Sequence, residues 1–97
     1  MSRYNYRGAL TDRLGIVNRL LSRPSTHSET VDGKYVANIG FIGWTYNGLQ
    51  ARSFSVYEVC TTGGGIRVLY TAGSKKELLS WVDGYLDGIR QVKQDVA

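Results

Sequence analysis

His27 is the single histidine of the chain, and it stands among Ser25, Thr26, Ser28 and Thr30. A histidine beside hydroxyl groups can serve as the base of a nucleophilic pair. That chemistry also needs the nucleophile within hydrogen-bond reach and a group to orient the ring. Chain order alone supplies neither, so His27 reads as an exposed loop residue. Asp83 and Asp87 lie one helical turn apart, with Asp95 two turns further on. Such carboxylates can share a proton or hold a cation. No His or Cys is spaced to complete a metal site, and they read as surface acids. Gly63-Gly64-Gly65 has the composition of a phosphate cradle. A cradle needs a helix N-terminus after the glycines and a lysine in the loop. Here a strand follows, and the run reads as a hairpin turn.

The segment Ala72-Gly73-Ser74-Lys75-Lys76 is a better anion site. It is a strand-to-helix junction, with free N–H groups at the helix start and two lysines beside them. Lys75 and Lys76 are therefore the candidate nucleic-acid contacts; a plain helix cap with solvated lysines is the competing reading. No Ser, Thr or Tyr stands in a nucleophile motif. The expectation is a protein that is not an enzyme, with no cofactor and no metal.

Aromatic rings and arginines carry more of the signal. Tyr35, Trp44, Tyr46, Tyr57, Tyr70, Trp81 and Tyr85 supply amphipathic surface of the kind favoured at interfaces and as base-stacking platforms. Trp44 and Tyr46 flank a hairpin tip and are the ones expected at the surface. Charge is asymmetric. Up to residue 27 there are five arginines, Arg3, Arg7, Arg13, Arg19 and Arg23, against Asp12 alone; from residue 28 on, seven basic residues face seven acids. The whole net charge of +4 thus lies on the N-terminal segment. Such an excess suits phosphate or an acidic protein, and a solvated helix face is its bland alternative. The candidate partner contacts are Trp44, Tyr46, Arg52 and Arg67 on the sheet, with Arg3, Arg7, Arg19 and Arg23 on the first helix.

With 97 residues the chain reads as one domain with a modest core. A composition of 42% hydrophobic and 21% charged residues argues against general disorder. Cys60 is the single cysteine, which favours a reducing compartment, and it is expected to be buried near a strand end. No apolar run approaches the ~18–20 residues of a membrane helix. The expected location is cytoplasmic, with no membrane partner.

The elements that must position these residues follow from periodicity. Tyr6, Leu10, Leu14, Val17 and Leu21 mark one helical stripe, and Pro24 ends it. The basic helix is assigned within residues 1–23, with a start at Thr11-Asp12 as an alternative. Residues 35–70 read as a three-stranded antiparallel meander: KYVANIGFIGWTY, LQARSFSVYEVC and IRVLY. Tyr46-Asn47-Gly48-Leu49 signals a two-residue hairpin turn. Glu29 to Val31 can add an edge strand, and a bulge near Val56-Tyr57 would explain a shift in alternation. The first two strands are apolar on both faces, which two helices on one side do not account for.

Ser74-Lys75-Lys76-Glu77 is a capping box that opens a helix over residues 74–95. Ser80, Gly84 and Gly88 form a small-residue stripe on it. Another backbone approaches the stripe closely, or the helix breaks at Asp83-Gly84; an outward-facing stripe predicts a homodimer. The fold class is α+β: N-terminal helix, meander, C-terminal helix, with both helices on one face of the sheet.

Two resemblances arise at this junction. The order helix, three strands, helix, with Gly73-Ser74-Lys75-Lys76-Glu77 opening the last helix, resembles the double-stranded RNA-binding domain. That resemblance implies phosphate contacts at Lys75 and Lys76. The alanine run of that family is replaced here by Leu78-Leu79-Ser80-Trp81-Val82. The stretch Ser74-Lys75-Lys76-Glu77-Leu78-Leu79-Ser80-Trp81 is similar to the helix opening of small phage-encoded anti-CRISPR inhibitors. This second resemblance implies a non-enzymatic inhibitor or accessory protein that docks on a host protein or nucleoprotein complex.

Overall fold

The computed structural model describes residues 4–96, with side chains as far as Lys93. In chain order it holds α1 (Tyr6–Leu20), β1 (Ser28–Val31), β2 (Lys34–Ala37), β3 (Ile42–Tyr46), β4 (Phe54–Val59), β5 (Ile66–Ala72) and α2 (Lys75–Val96). The α+β class and the order of helices and strands agree with the sequence reading. The three-stranded meander does not. There are five strands in two antiparallel sheets, a β1-β2 hairpin and a β3-β4-β5 sheet.

The difference arises at residues 38–41, inside the expected first strand. Gly40 takes a φ of +94°, a left-handed conformation that a strand cannot carry. The Phe41 N–H closes a turn on the Asn38 carbonyl at 3.1 Å, and the Arg23 guanidinium donates to the Gly40 carbonyl at 2.9 Å. The chain therefore bends, and β2 leaves the sheet to pair with β1. Their two-residue turn is Asp32-Gly33, with φ of +51° and +77° at the two positions and Val31 opposite Lys34. Positive φ at both centres is the mark of a type I′ turn.

Asn47-Gly48 does not make such a turn. The ladder continues through the Asn47 N–H to the Ser53 carbonyl at 2.8 Å, and the Asn47 amide holds the Ser53 and Ser55 hydroxyls. The residues beyond form a loop that closes with the Arg52 N–H on the Gly48 carbonyl at 2.9 Å.

The bend resolves the question of the second apolar face. Ile42, Val56 and Ala72 point toward the helices and pack with Leu10, Leu14, Val17, Leu78, Val82 and Leu86. The opposite face, with Tyr57 and Val59, is partly roofed by the chain's own β1-β2 hairpin. Ala37 and Val59 are both buried there, the Ala37 N–H reaches the Thr62 carbonyl at 3.0 Å, and the His27 ring stands edge-on to Phe41 and Tyr57. The irregularity at Val56-Tyr57 is also present. Tyr57 pairs with Val68 and Val56 with Tyr70, so Leu69 is the extra residue. Beyond it, Tyr70 points to the helix side and stacks on Trp81 at 5.1 Å, while Ile66 and Val68 face away and stay half exposed.

The start of α1 is capped by Asn5, whose side chain accepts the Gly8 N–H at 3.0 Å, not by Thr11-Asp12. α2 begins under Ser74, whose hydroxyl accepts the Glu77 N–H at 3.2 Å, and it runs through Asp83-Gly84 without a break. The helices are parallel: Arg13 pairs with Asp83 at 3.2 Å, and Leu21 borders the same groove as Ile89. Both N-termini therefore lie at one end of the domain. Cys60, expected to be buried, is exposed at the end of β4.

One buried polar side chain ties the layers. Asn18 is only 1% exposed. Its amide donates to the Ile42 carbonyl at 3.0 Å and accepts the Ile42 N–H at 3.0 Å. These are backbone groups on the outer edge of β3, and Asn18 supplies what a neighbouring strand would. Replacing Asn18 with Ala strands both groups and is expected to cost about 2–3 kcal/mol in urea unfolding; Asn18→Asp keeps the acceptor alone and should also destabilise.

Ser80, Gly84 and Gly88 face outward along α2, and a Cβ built on either glycine meets nothing within 4 Å. α1 does not approach them. Gly84→Ala and Gly88→Ala should each raise stability by about 1 kcal/mol, read from the same unfolding curves.

Candidate functional site

Four of the residues singled out in the sequence converge at the end of the domain where both helices begin. Arg7, Trp44, Tyr46 and Lys75, with Phe54, line an open pocket of about 430 Å³. Each arrives by a different local rule. Trp44 and Tyr46 alternate on the helix-facing side of β3, and Tyr46 lies opposite Phe54 in register. Phe54 in turn lies opposite Ala72, the last residue of β5, so Lys75 at the start of α2 comes over the Phe54 ring at 6.0 Å. Arg7 stands in the first turn of α1.

The floor is three aromatic rings. Tyr46 and Phe54 are 5.0 Å apart between centroids, and Trp44 and Phe54 6.4 Å. Trp44 is not a free surface ring: it packs against the core and its indole N–H donates to the Thr11 hydroxyl at 3.3 Å. That bond holds the ring in place. Tyr46 is the more exposed of the pair. The rim is cationic for two reasons. Arg7 and Lys75 bring formal charges, and the N-termini of two parallel helices bring their partial positive charges to the same place. Among the described residues no carboxylate lines this pocket. Phe54 escaped the sequence reading as a site residue, since alternation alone gave it a face but no neighbours.

The remaining candidates are dispersed. Arg23 turns inward to an ion pair with Glu58 and to the Gly40 carbonyl, so it holds the fold. Arg67 reaches the other Glu58 oxygen at 2.9 Å from an exposed position on β5. Arg19 is exposed in the last turn of α1, Arg52 in the loop before β4 with a φ of +48°, and Lys76 beside Lys75. Arg3 lies outside the described residues.

His27, expected as an exposed loop residue, is half-buried against aromatic rings. Its Nδ1 lies 3.1 Å from the Tyr35 hydroxyl, and its ring is 5.9 Å from Phe41 and 6.0 Å from Tyr57. A second hollow of about 220 Å³ opens beside it, bounded by Thr11, Gly15, Gly43 and Tyr57 among others. Burial first, and the neighbouring Tyr35 second, push the Tyr57 hydroxyl above its usual range, so it stays protonated. The ring partner of His27 is a tyrosine, not a carboxylate. Among the described residues no three His, Cys, Asp or Glu side chains gather to hold a metal ion, and no helix is long and apolar enough to cross a membrane. Elsewhere, an apolar groove of about 680 Å³ runs past Leu21, Tyr85, Ile89 and Val92, beside the outward glycines of α2.

Searches of protein-family models, curated proteins and solved structures returned no match to the chain.

The Glu58 carboxyl is held below its ordinary range, first by the hydrogen bond from Arg23, then by the charges of Arg23 and Arg67. A depressed folded pKa stabilises the fold at pH values above the ordinary glutamate range, about 4.3. That contribution is lost as pH falls through the lower folded value. Glu58→Gln removes it, so the stability gap between wild type and variant should be widest at neutral pH and narrow on acidification, as acid unfolding curves will measure.

Proposed function

We propose that the protein is a non-catalytic binding protein. It docks on a host protein or nucleoprotein complex through the pocket between Arg7 and Lys75, in the manner implied by its resemblance to small phage-encoded inhibitors. One observation carries this reading: three rings and two cations from α1, β3, β4 and α2 meet in one open pocket, with no neutralising acid among the described residues. Rings held by packing lose little freedom on binding, and Trp, Tyr and Arg are the side chains that dominate interface energetics. The pocket therefore suits an anionic group carried next to a flat or apolar one. Acidic side chains on a partner protein meet that description.

Nucleic acid is the second reading, favoured by the same cations and by Lys76 close to them. A stacked base on Trp44 or Tyr46 with its phosphate at Lys75 would use the pocket fully. Salt separates the two. Nucleic-acid binding weakens steeply with ionic strength, by a log–log slope of about −0.7 to −0.9 per phosphate neutralised.

Bait comparison tests the proposal. Wild type and the double variant Arg7→Glu with Lys75→Glu are used to capture partners from a bacterial lysate after nuclease treatment. A band retained by wild type and reduced roughly tenfold or more with the variant is the expected result. A band equal in both baits places the contact elsewhere and refutes the pocket. Titration of Trp44 fluorescence, isolated in a Trp81→Phe background, with a thymidine oligonucleotide and an RNA duplex at low salt should leave the signal unchanged; a saturating, salt-sensitive change would transfer the site to nucleic acid.

A further inference from the structure

β3 is an edge strand, and its outer edge is only half used. Asn18 takes the outward N–H and C=O of Ile42. On the other side, the ladder to β4 runs through Gly43 opposite Tyr57 and Thr45 opposite Ser55, continued by Asn47 to Ser53 and by the Val59 N–H to the Phe41 carbonyl. Inward and outward bonding alternate along an antiparallel strand. The main-chain groups of Trp44 and Tyr46 therefore point out, in line with those that Asn18 holds at Ile42. None of them has a main-chain partner among the described residues.

The open stretch lies between the two hollows. On the helix side is the pocket with Arg7, Phe54 and Lys75; on the hairpin side is the 220 Å³ hollow with His27 and Tyr57, and Trp44 borders both. Gly43 keeps the second hollow open. A Cβ there would meet the Tyr57 hydroxyl at 2.8 Å. Facing the edge from α1 is Gly15, where a Cβ would meet nothing within 4 Å.

We propose that the Trp44–Tyr46 edge of β3 accepts an extended, acidic segment of a partner protein as an added strand. The proposal rests on the pocket reading above and names what enters the pocket. Side chains of a paired strand alternate between faces, and those opposite Trp44 and Tyr46 share their face. Residues of the incoming strand opposite Trp44 and Tyr46 thus reach Arg7 and Lys75, and an acid satisfies both cations. The residue on the other side of Trp44's partner lies opposite Gly43, faces the hollow there and meets the rings of Tyr57 and His27, where an apolar side chain fits. Recognition is then main-chain bonding at the edge, with acids read on the helix side opposite Trp44 and Tyr46 and an apolar residue read on the hairpin side opposite Gly43.

The probe is a capped hexapeptide of alternating glutamate and valine, with a peptide of the same composition in two blocks as control. Amide hydrogen exchange is followed residue by residue on the full chain. The alternating peptide should slow exchange at Trp44 and Tyr46 by roughly tenfold or more, and the block peptide should not. Tyr46→Pro removes an outward N–H without touching the ladder to β4, while Tyr46→Ala removes the ring alone. Affinity for the alternating peptide should fall further with proline than with alanine. If the peptide shifts Trp44 fluorescence in a Trp81→Phe background while both amides keep their free rates, or if proline and alanine cost the same, the added strand is refuted and the pocket reading stands. If the peptide causes neither change, the added strand is refuted, and the bait comparison alone decides the pocket. Protection of both amides in the free protein that fades on dilution would assign the edge to a second copy of this chain and overturn the acidic partner.

Discussion

The pairing of Asn18 with Ile42 is the constraint on which the rest of the arrangement depends. A side-chain amide can present one N–H and its carbonyl oxygen at the spacing of a main-chain pair, so it can terminate a sheet edge from a helix. It does so here in a buried setting, where an unpaired amide would be costly. The bond fixes α1 along β3 and sets its rotation. Leu10, Leu14 and Val17 then face the core, and Thr11 comes within reach of the Trp44 indole. With α1 set, Arg7 one turn earlier must lie at the Trp44–Tyr46 end. The site is thus a consequence of a tie made about three helical turns away.

Charge is divided by the same geometry. Of the cations the sequence groups together, Arg13 and Arg23 are consumed internally, by Asp83 and Glu58. Arg23 does more than pair. It reaches the Gly40 carbonyl across the bend that separates the two sheets, so it links the end of α1, the bend and β4. Glu58 is mostly shielded and has cations on both oxygens, which gives this network a stronger hold than an exposed pair. Among the described residues Arg7 and Lys75 make no ion pair, and their charge remains available at the pocket. The N-terminal arginine excess is therefore partly structural.

What was legible in the sequence follows from range. Local rules found both helices, the Ser74 cap, the edge strand at 29–31 and the bulge beside Tyr57. They failed where a distant residue decides. A strand through Gly40 is acceptable until Arg23 binds its carbonyl; Asn47-Gly48 is a tight turn until Asn47 finds Ser53 and Ser55. The surplus apolar face is real, but it is not the face of Trp44 and Tyr46, the two rings expected at the surface. Trp44 and Tyr46 point toward the helices, and the face in need of cover is that of Tyr57 and Val59. Trp44, Tyr46, Arg7 and Lys75 were each visible as types, yet only parallel helices bring them together, and no periodicity encodes that. Asn18 gave no signal, because a lone asparagine at a core position of a helical stripe has no pattern of its own.

The division between the two ends of β3 explains why one edge can be both stable and receptive. Open edges invite uncontrolled pairing, and proteins blunt them with short strands, charge or cover. β3 is five residues long, its first residue is capped by Asn18, and Arg7 and Lys75 stand beside the remainder. Cations of one sign repel a second copy presenting the same edge, since two such pockets would face each other. They attract a strand of opposite charge. In the proposed complex, selectivity for an acidic segment would come from the device that suppresses self-pairing: one set of charges excludes the like edge and admits the unlike one.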